Sequence, residues 1–304
     1  MIKYQHILVV VDPVAEAQPA LHRAVSVASL QENATITLFL AIYDFSYEMT
    51  SMLSSSERDE MREGVLQGRE EWLKSLLVPY ADSKVEFHLK VVWHSRPFEA
   101  IIQQVQEHHH DLVVKSTHKH AMIQSFIFTP TDWHLLRKCP CPVLLVKERD
   151  WPMGGTVLAA VNCCSDDDAQ ETLNEKVISE SAEVARLLSA TLHLVNAYPI
   201  TPVNMALELP DFDPHAYNAA VKKHHERALY EYAVRFSLES ESLHLLEGLA
   251  EEVIPGCADS IDASLVILGS VGRTGLSAAL LGNTAEHVID KLSCDVLVLR
   301  PDAD

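Results

Sequence analysis

Long apolar runs are missing from this sequence: no stretch approaches the roughly 18 residues that read as a membrane span. The apolar run Ile7–Val11 is short and stopped by Asp12, so no export leader is read at the start. Cysteine is sparse, with six in 304 residues, too few for the disulfide framework of a small secreted domain. Cytoplasmic residence with free thiols is therefore expected. Positive charge is scarce as well: 24 Lys and Arg stand against 43 Asp and Glu, a net of −19. Such a chain is a poor generic binder of DNA, RNA or anionic lipid, so neither a membrane nor a direct nucleic-acid partner is expected. No Gly-Lys-Ser/Thr follows any glycine loop, which excludes a Walker A site. No metal set is complete. His108-His109-His110 has no Cys or carboxylate companions, and Cys139-Pro140-Cys141 has one intervening residue where zinc knuckles and redox pairs have two or more.

What is present is a repeat. The length suits two domains of about 150 residues, and the sequence matches itself at that spacing. Asp111–Lys115 corresponds to Ser264–Leu268, and Cys141–Lys147 to Cys294–Arg300, both at an offset of 153. Ile7–Asp12 corresponds to Val157–Asn162 at an offset of 150. Thr35–Tyr43 aligns with Thr191–Tyr198 across one gap, and Glu99–Ile101 with Glu252–Ile254. The boundary falls at Arg149–Gly155, where Pro152 and a Gly pair separate a strand end from a strand start. Domains 1–150 and 151–304 follow. Their charges differ: 15 basic against 19 acidic residues in the first, 9 against 24 in the second. An anion bound by the second half must therefore be held by backbone N–H groups and local dipoles.

Each half alternates strand and helix. Ile7–Val11 is a continuous apolar run, as in a central parallel strand buried on both faces. Leu21, Ala24, Val25 and Ala28 mark an amphipathic helix. Strands follow at Ile36–Tyr43, Glu86–Val92, Leu112–Val114 and Val143–Val146. Helices are read near Arg58–Leu77, from Pro97 and before the last strand. The second half repeats the pattern, with a helix at Leu229, Tyr232, Ala233 and Phe236. Short strands alternating with helices imply an α/β fold with doubly wound parallel sheets and right-handed crossovers. The ligand crevice of such a sheet lies at the carboxyl ends of the strands, where their order reverses. Pro199–His215, with four prolines, reads as a long loop near that rim, either a lid or a solvated insertion.

Glycine is rare, ten in all, and the second half gathers four at Gly269, Gly272, Gly275 and Gly282. Gly269 and Gly272 can expose N–H groups in a turn closed to residues with a Cβ. Gly282 permits close approach of an anion to the backbone. Asn283 is a good helix cap, and Glu286 completes a capping box with it. A helix N-terminus after glycine suits phosphate. The pattern reads as a phosphate cradle or as a flexible loop with a helix cap. The first half has Ser116, Lys119 and Thr129 at the matching positions, then Pro130, which lacks an N–H, and Asp132, which repels a phosphate. His118 and Lys119 are the only compensation read there. At the end of the first strand Asp12 is replaced by Asn162. The obvious carboxylate for a metal-dependent hydrolase is thus missing from the second half.

Gly269-x2-Gly272-x9-Gly282, after a strand and before a helix and a last strand, resembles the ATP-binding signature of the universal stress protein family. The resemblance covers both repeats nearly end to end. The segments Ile42–Met49, Val92–Ile102 and Phe128–Pro140 are similar to the tandem branch of that family in enteric bacteria. The resemblance implies two five-stranded domains of the adenine-nucleotide hydrolase-like type. It places adenine near Ala160, Asn162 and Ala197. It places the phosphates on Gly269, Gly272, Gly282, Asn283 and Thr284, with Arg273 beside an outer phosphate. ATP or another nucleotide is the implied ligand, with Mg²⁺ as its companion. Pairing through Val143–Val146 and Val296–Leu299, an intramolecular pseudo-dimer and a homodimer are implied too, as is a role in stress resistance that includes DNA damage.

Three functions compete. The chain is a nucleotide-binding stress module with little or no turnover, an interaction particle whose pocket is empty or holds an apolar ligand, or an ATPase. The last is disfavoured because no general base stands near the glycine loop. Cys139, Cys141, Cys163 and Cys164 read as inert thiols.

Overall fold

The computed structural model describes residues 4–46, 54–119, 126–147, 149–152, 154–165, 167–200, 212–270 and 282–301. They form two compact units, one comprising Lys3–His118 with Phe128–Lys147, the other built mainly from the chain after Lys147.

In the first unit the strands are β1 (His6–Val10), β2 (Thr35–Ile42), β3 (Glu86–Trp93), β4 (Leu112–Ser116) and β7 (Val143–Val146). A two-stranded ribbon, β5 (His118–Lys119) and β6 (Phe126–Ile127), follows β4 along the chain, with Lys119–Ile127 counted in the other unit. The helices are α1 (Pro19–Ser29), α2 (Ser55–Leu76), α3 (Pro97–His108) and α4 (Pro130–Lys138). All sheet pairings are parallel, in the order β7-β4-β1-β2-β3. Ile7, Leu8, Val9, Val113 and Val114 are fully buried, which is why these strands read as unbroken apolar runs. Proline opens three of the four helices, where its missing N–H costs nothing. Ser54 and Glu57 form a reciprocal capping box at the start of α2.

The second unit repeats this plan with β8 (Thr156–Val161), β9 (Thr191–Tyr198), β10 (Leu243–Glu247), β11 (Ala263–Gly269) and β12 (Asp295–Leu299). Its helices are α5 (Asp168–Leu187), α6 (Pro214–Arg235), α7 (Ala250–Ser260) and α8 (Asn283–Lys291). The order is β10-β9-β8-β11-β12, again all parallel. Chain order runs outward from β8 to β10, then returns to β11 and β12. Right-handed crossovers therefore put α5 and α6 on one face and α7 and α8 on the other. The reversal point lies between β8 and β11 here, and between β1 and β4 in the first unit.

The repeat extends to single hydrogen bonds. Thr117 donates its amide to Val146 O at 2.9 Å, and Ser270 donates to Leu299 O at 2.8 Å. Both hydroxyls reach the same carbonyls at 3.2 Å. One expectation needs correction: Pro214 and His215 belong to α6, not to the preceding loop. Proline starts the helix, and the Asp213 carboxylate caps it by accepting the His215 and Ala216 amides. Residues 201–211 of that loop lie outside the described residues. His108–His110 ends α3, with His109 left-handed at φ 53°. His110 is a buried core residue whose Nδ1 meets His6 O at 3.2 Å.

Candidate crevice at the strand reversal of the second unit

The register brings together residues distant in sequence. Ala160 lies beside Leu268, and Val161 beside Asn196. Asn162, Ala197 and Ser270 therefore stand at one level on the carboxyl rim. Strand alternation points Ala160, Asn162 and Ala197 to one face, that of α7 and α8. Ala160 and Ala197 are half-buried and small. Only three residues, Leu292–Ser293–Cys294, separate α8 from β12 at the bottom of the sheet, so α8 must begin at the rim. Its first turn faces the same end as Asn162.

Asn162 is held by its backbone. Asn174, buried on α5, accepts the Asn162 N–H at 3.1 Å and donates to the Asn162 carbonyl at 2.7 Å. The exposed carboxamide of Asn162 is left to face outward from a fixed turn. Gln18 clamps Asp12 in the same way in the first unit, at 3.1 and 2.8 Å.

The start of α8 departs from expectation. Gly282, not Asn283, is the N-cap, and no side chain caps the helix there. The Asn283–Glu286 capping box is therefore not formed. Asn283 is already the first helical residue, where its side chain cannot serve as the cap. Gly282 sits at φ −66°, ψ 138°, a conformation open to any residue. Its lack of a Cβ is thus not a backbone requirement. It brings no side chain of its own to the helix N-terminus. Gly269 has a different reason. A Cβ there would stand 2.4 Å from Leu173 Cδ2, so its glycine lets α5 lie against β11. Gly272 and Arg273, with the rest of 271–281, lie outside the described residues.

The corresponding place in the first unit is filled from within. Thr129 caps α4, and Asp132, fully buried, completes the box: its Oδ2 accepts the Thr129 N–H at 2.6 Å and hydroxyl at 2.8 Å. Its other oxygen faces Lys115 Nζ at 2.8 Å. Lys115 rises from β4 at the position of Leu268. A carboxylate belonging to the chain thus occupies the helix N-terminus and carries its own counter-ion. Sequence reading identified Asp132 but missed Lys115. A lysine ending the apolar run Leu112–Val114 was the available sign.

The thiols are poorly suited to chemistry. Cys139 and Cys141 are buried, their sulfurs 3.7 Å apart. The bond to Cys139, then burial, hold the Cys141 thiol protonated. Burial pushes Cys163, near the β8 rim, up to about 12. Among the described residues no cluster of three or more His, Cys, Asp or Glu is arranged for a metal. Asn162, at the end of β8, supplies no charge for Mg²⁺. No helix among the described residues is long and apolar enough to cross a membrane.

Known proteins show the same two-part plan. The universal stress protein family profile matches residues 3–147 and again 160–300. Universal stress protein E of Salmonella typhi is 51% identical over 303 residues, covering 99% of this chain and 96% of that protein. A universal stress protein E homolog from Haemophilus influenzae is 44% identical, covering 98% of each. Among solved structures, a putative universal stress protein from Pseudomonas aeruginosa UCBPP-PA14 is 31% identical with a TM-score of 0.71, covering 98% of this chain and 94% of that one. A universal stress protein from Archaeoglobus fulgidus DSM 4304, at 16% identity and a TM-score of 0.62, shares the fold. With the family matched in both halves and its fold in both units, this chain belongs to the universal stress protein family as a tandem member with a stress-response function.

Proposed function

We propose that the second unit binds one nucleotide per chain in its rim crevice, with ATP the first ligand to test, and that it does so with little or no turnover. The observation that supports this most is the start of α8, where Gly282 caps the helix with no side chain. The base would lie over Ala160 and Ala197 beside Asn162. The phosphates would lie at the amides of Gly282, Asn283 and Thr284 and near Gly269, with Gly272 and Arg273 as further contacts. Mg²⁺ would arrive on the phosphates. The first unit, with Asp132 in the corresponding place, binds no nucleotide in that mode.

Cytoplasmic residence and a contribution to survival of DNA damage belong to the same reading. Isothermal titration of the full chain with ATP, AMP and UTP tests binding. One site is expected, weakened at least about tenfold by Gly282→Val and unchanged by Thr129→Val. Absence of binding to all three overturns the reading. Survival of ultraviolet exposure by cells carrying only the Gly282→Val form then tests whether the site matters for DNA damage.

A further inference from the structure

A second set of contacts reaches the crevice from the opposite face of the sheet. Cys163 follows Asn162 in the turn after β8, and its N–H is accepted by Asn196 Oδ1 at 3.1 Å. Asn196 is fully buried on β9, and its Nδ2 lies 2.9 Å from His225 Nδ1 on α6. A backbone N–H can only donate, so this bond fixes the carboxamide: Oδ1 toward Cys163, Nδ2 toward His225. Nδ2 in turn can only donate. His225 Nδ1 must therefore be bare, with the ring proton on Nε2. A proton on Nδ1 would set two donors face to face. The carboxamide would have to turn over to accept from His225, and the Cys163 amide would lose its acceptor.

The first unit is an internal control. At the position of Cys163 stands Pro13, which has no N–H. At the position of Asn196 stands Leu40, buried and without an acceptor. Donor and acceptor are present together in the second unit and absent together in the first, although both units keep the clamp on the preceding residue.

We propose that His225 is a positioning residue for the second crevice, holding the Asn162–Cys163 turn through Asn196 while its ring is neutral and releasing that turn when protonated. As to ligand binding, this rests on the nucleotide reading above; as to the turn, it does not. The titratable groups around His225 are few. On its own helix His224 stands edge-on, 6.0 Å between ring centres. From β9 comes Tyr198 at 5.9 Å. Its hydroxyl donates to Glu247 of β10, which also accepts from Asn218 of α6. From α5, Glu175 pairs with Arg235 near the end of α6. Burial, then the charge of His224, hold His225 below its ordinary value, so the neutral, holding state prevails at neutral pH.

Nitrogen-15 NMR of the full chain between pH 8 and 4.5 decides the matter without a ligand. The expected result is an Nε2–H tautomer for His225 at pH 8 and a Cys163 amide resonance that moves with the same midpoint as the ring. An Nδ1–H tautomer, or a Cys163 amide indifferent to the His225 titration, overturns the proposal. His225→Gln, whose side-chain oxygen can still accept from Asn196, should abolish the movement. A titration with ATP then adds the second reading: affinity should fall about tenfold across the His225 midpoint in the native chain and stay flat in the variant. If the amide titrates and ATP does not bind, the turn mechanism stands and the nucleotide reading fails.

Discussion

The two units share a sheet, a switch point and a clamp on the residue after the first strand, yet they treat the end of one helix in opposite ways. In the first, Thr129, Asp132 and Lys115 close the N-terminus of α4 with a side chain, a charge and a counter-charge. In the second, Gly282 leaves the N-terminus of α8 without a side-chain cap. The same fold thus carries one version of this feature capped by side chains and one without a side-chain cap. The difference lies in four positions: Lys115 against Leu268, Thr129 against Gly282, Pro130 against Asn283, and Asp132 against Ala285.

The largest expected effect comes from breaking the closed version. Asp132→Ala takes the counter-charge from the largely buried Lys115 ammonium and should cost about 3–5 kcal/mol in denaturant unfolding. Giving the first unit the second unit's residues, Lys115→Leu with Asp132→Ala, should recover more than half of that loss, because no charge is then left unpaired. Failure to recover it would mean that the carboxylate acts chiefly through the cap on Thr129. Next is Gly269→Ala, which drives a Cβ into Leu173 and should cost about 1–3 kcal/mol. The matching Ser116 of the first unit has room for its side chain and accepts the Ala20 amide at 3.0 Å. Ser116→Ala should therefore cost only a hydrogen bond, about 1 kcal/mol.

Acid sharpens the contrast further. Burial lowers His193, His225 and His244 in the second unit and His110 in the first. His193 and His244 also face each other with ring nitrogens 2.9 Å apart, so at most one of them can donate there. The unfolded chain takes up protons that these folded residues refuse. Their stabilisation is therefore present above about pH 6.5 and declines as pH falls below it. Each refused proton steepens the decline by at most about 1.4 kcal/mol per pH unit. Hydrogen exchange followed from pH 7.5 to 5 should show the second unit losing protection first. The smallest effect is expected at the exposed pair Arg149–Asp262, 2.7 Å apart. Asp262→Asn keeps a side chain tolerant of its left-handed φ of 51° and should change stability by less than about 1 kcal/mol.

Much of this was legible in the sequence, because a repeat supplies its own alignment. Strands buried on both faces announce themselves as apolar runs, and the offset of 153 carried Thr129 onto Gly282 without coordinates. The cap of α8 was misread for a physical reason. Gly282 and Asn283 are both acceptable caps, and the choice depends on where the chain leaves helical φ and ψ, which composition does not encode. Gly269 was read as a loop residue although its reason is Leu173, 96 positions away in sequence. Asn196 was visible as a lone polar residue in the apolar run Leu194-Val195-Asn196-Ala197. What it binds, Cys163 on one side and His225 on the other, required the register of β8 against β9.

The Lys115–Asp132 pair also bears on how long the protein lasts. Asp132 is tethered, so its occupancy never varies with the contents of the cell. A diffusible ligand stabilises only in proportion to its supply, by about 2.7 kcal/mol when it stands a hundredfold above its dissociation constant and by nothing when it is exhausted. If the second crevice binds a nucleotide as proposed, that half's opening, and with it its exposure to proteases, follows metabolite supply, while the first half's does not. Turnover of the whole chain would be set by its second half.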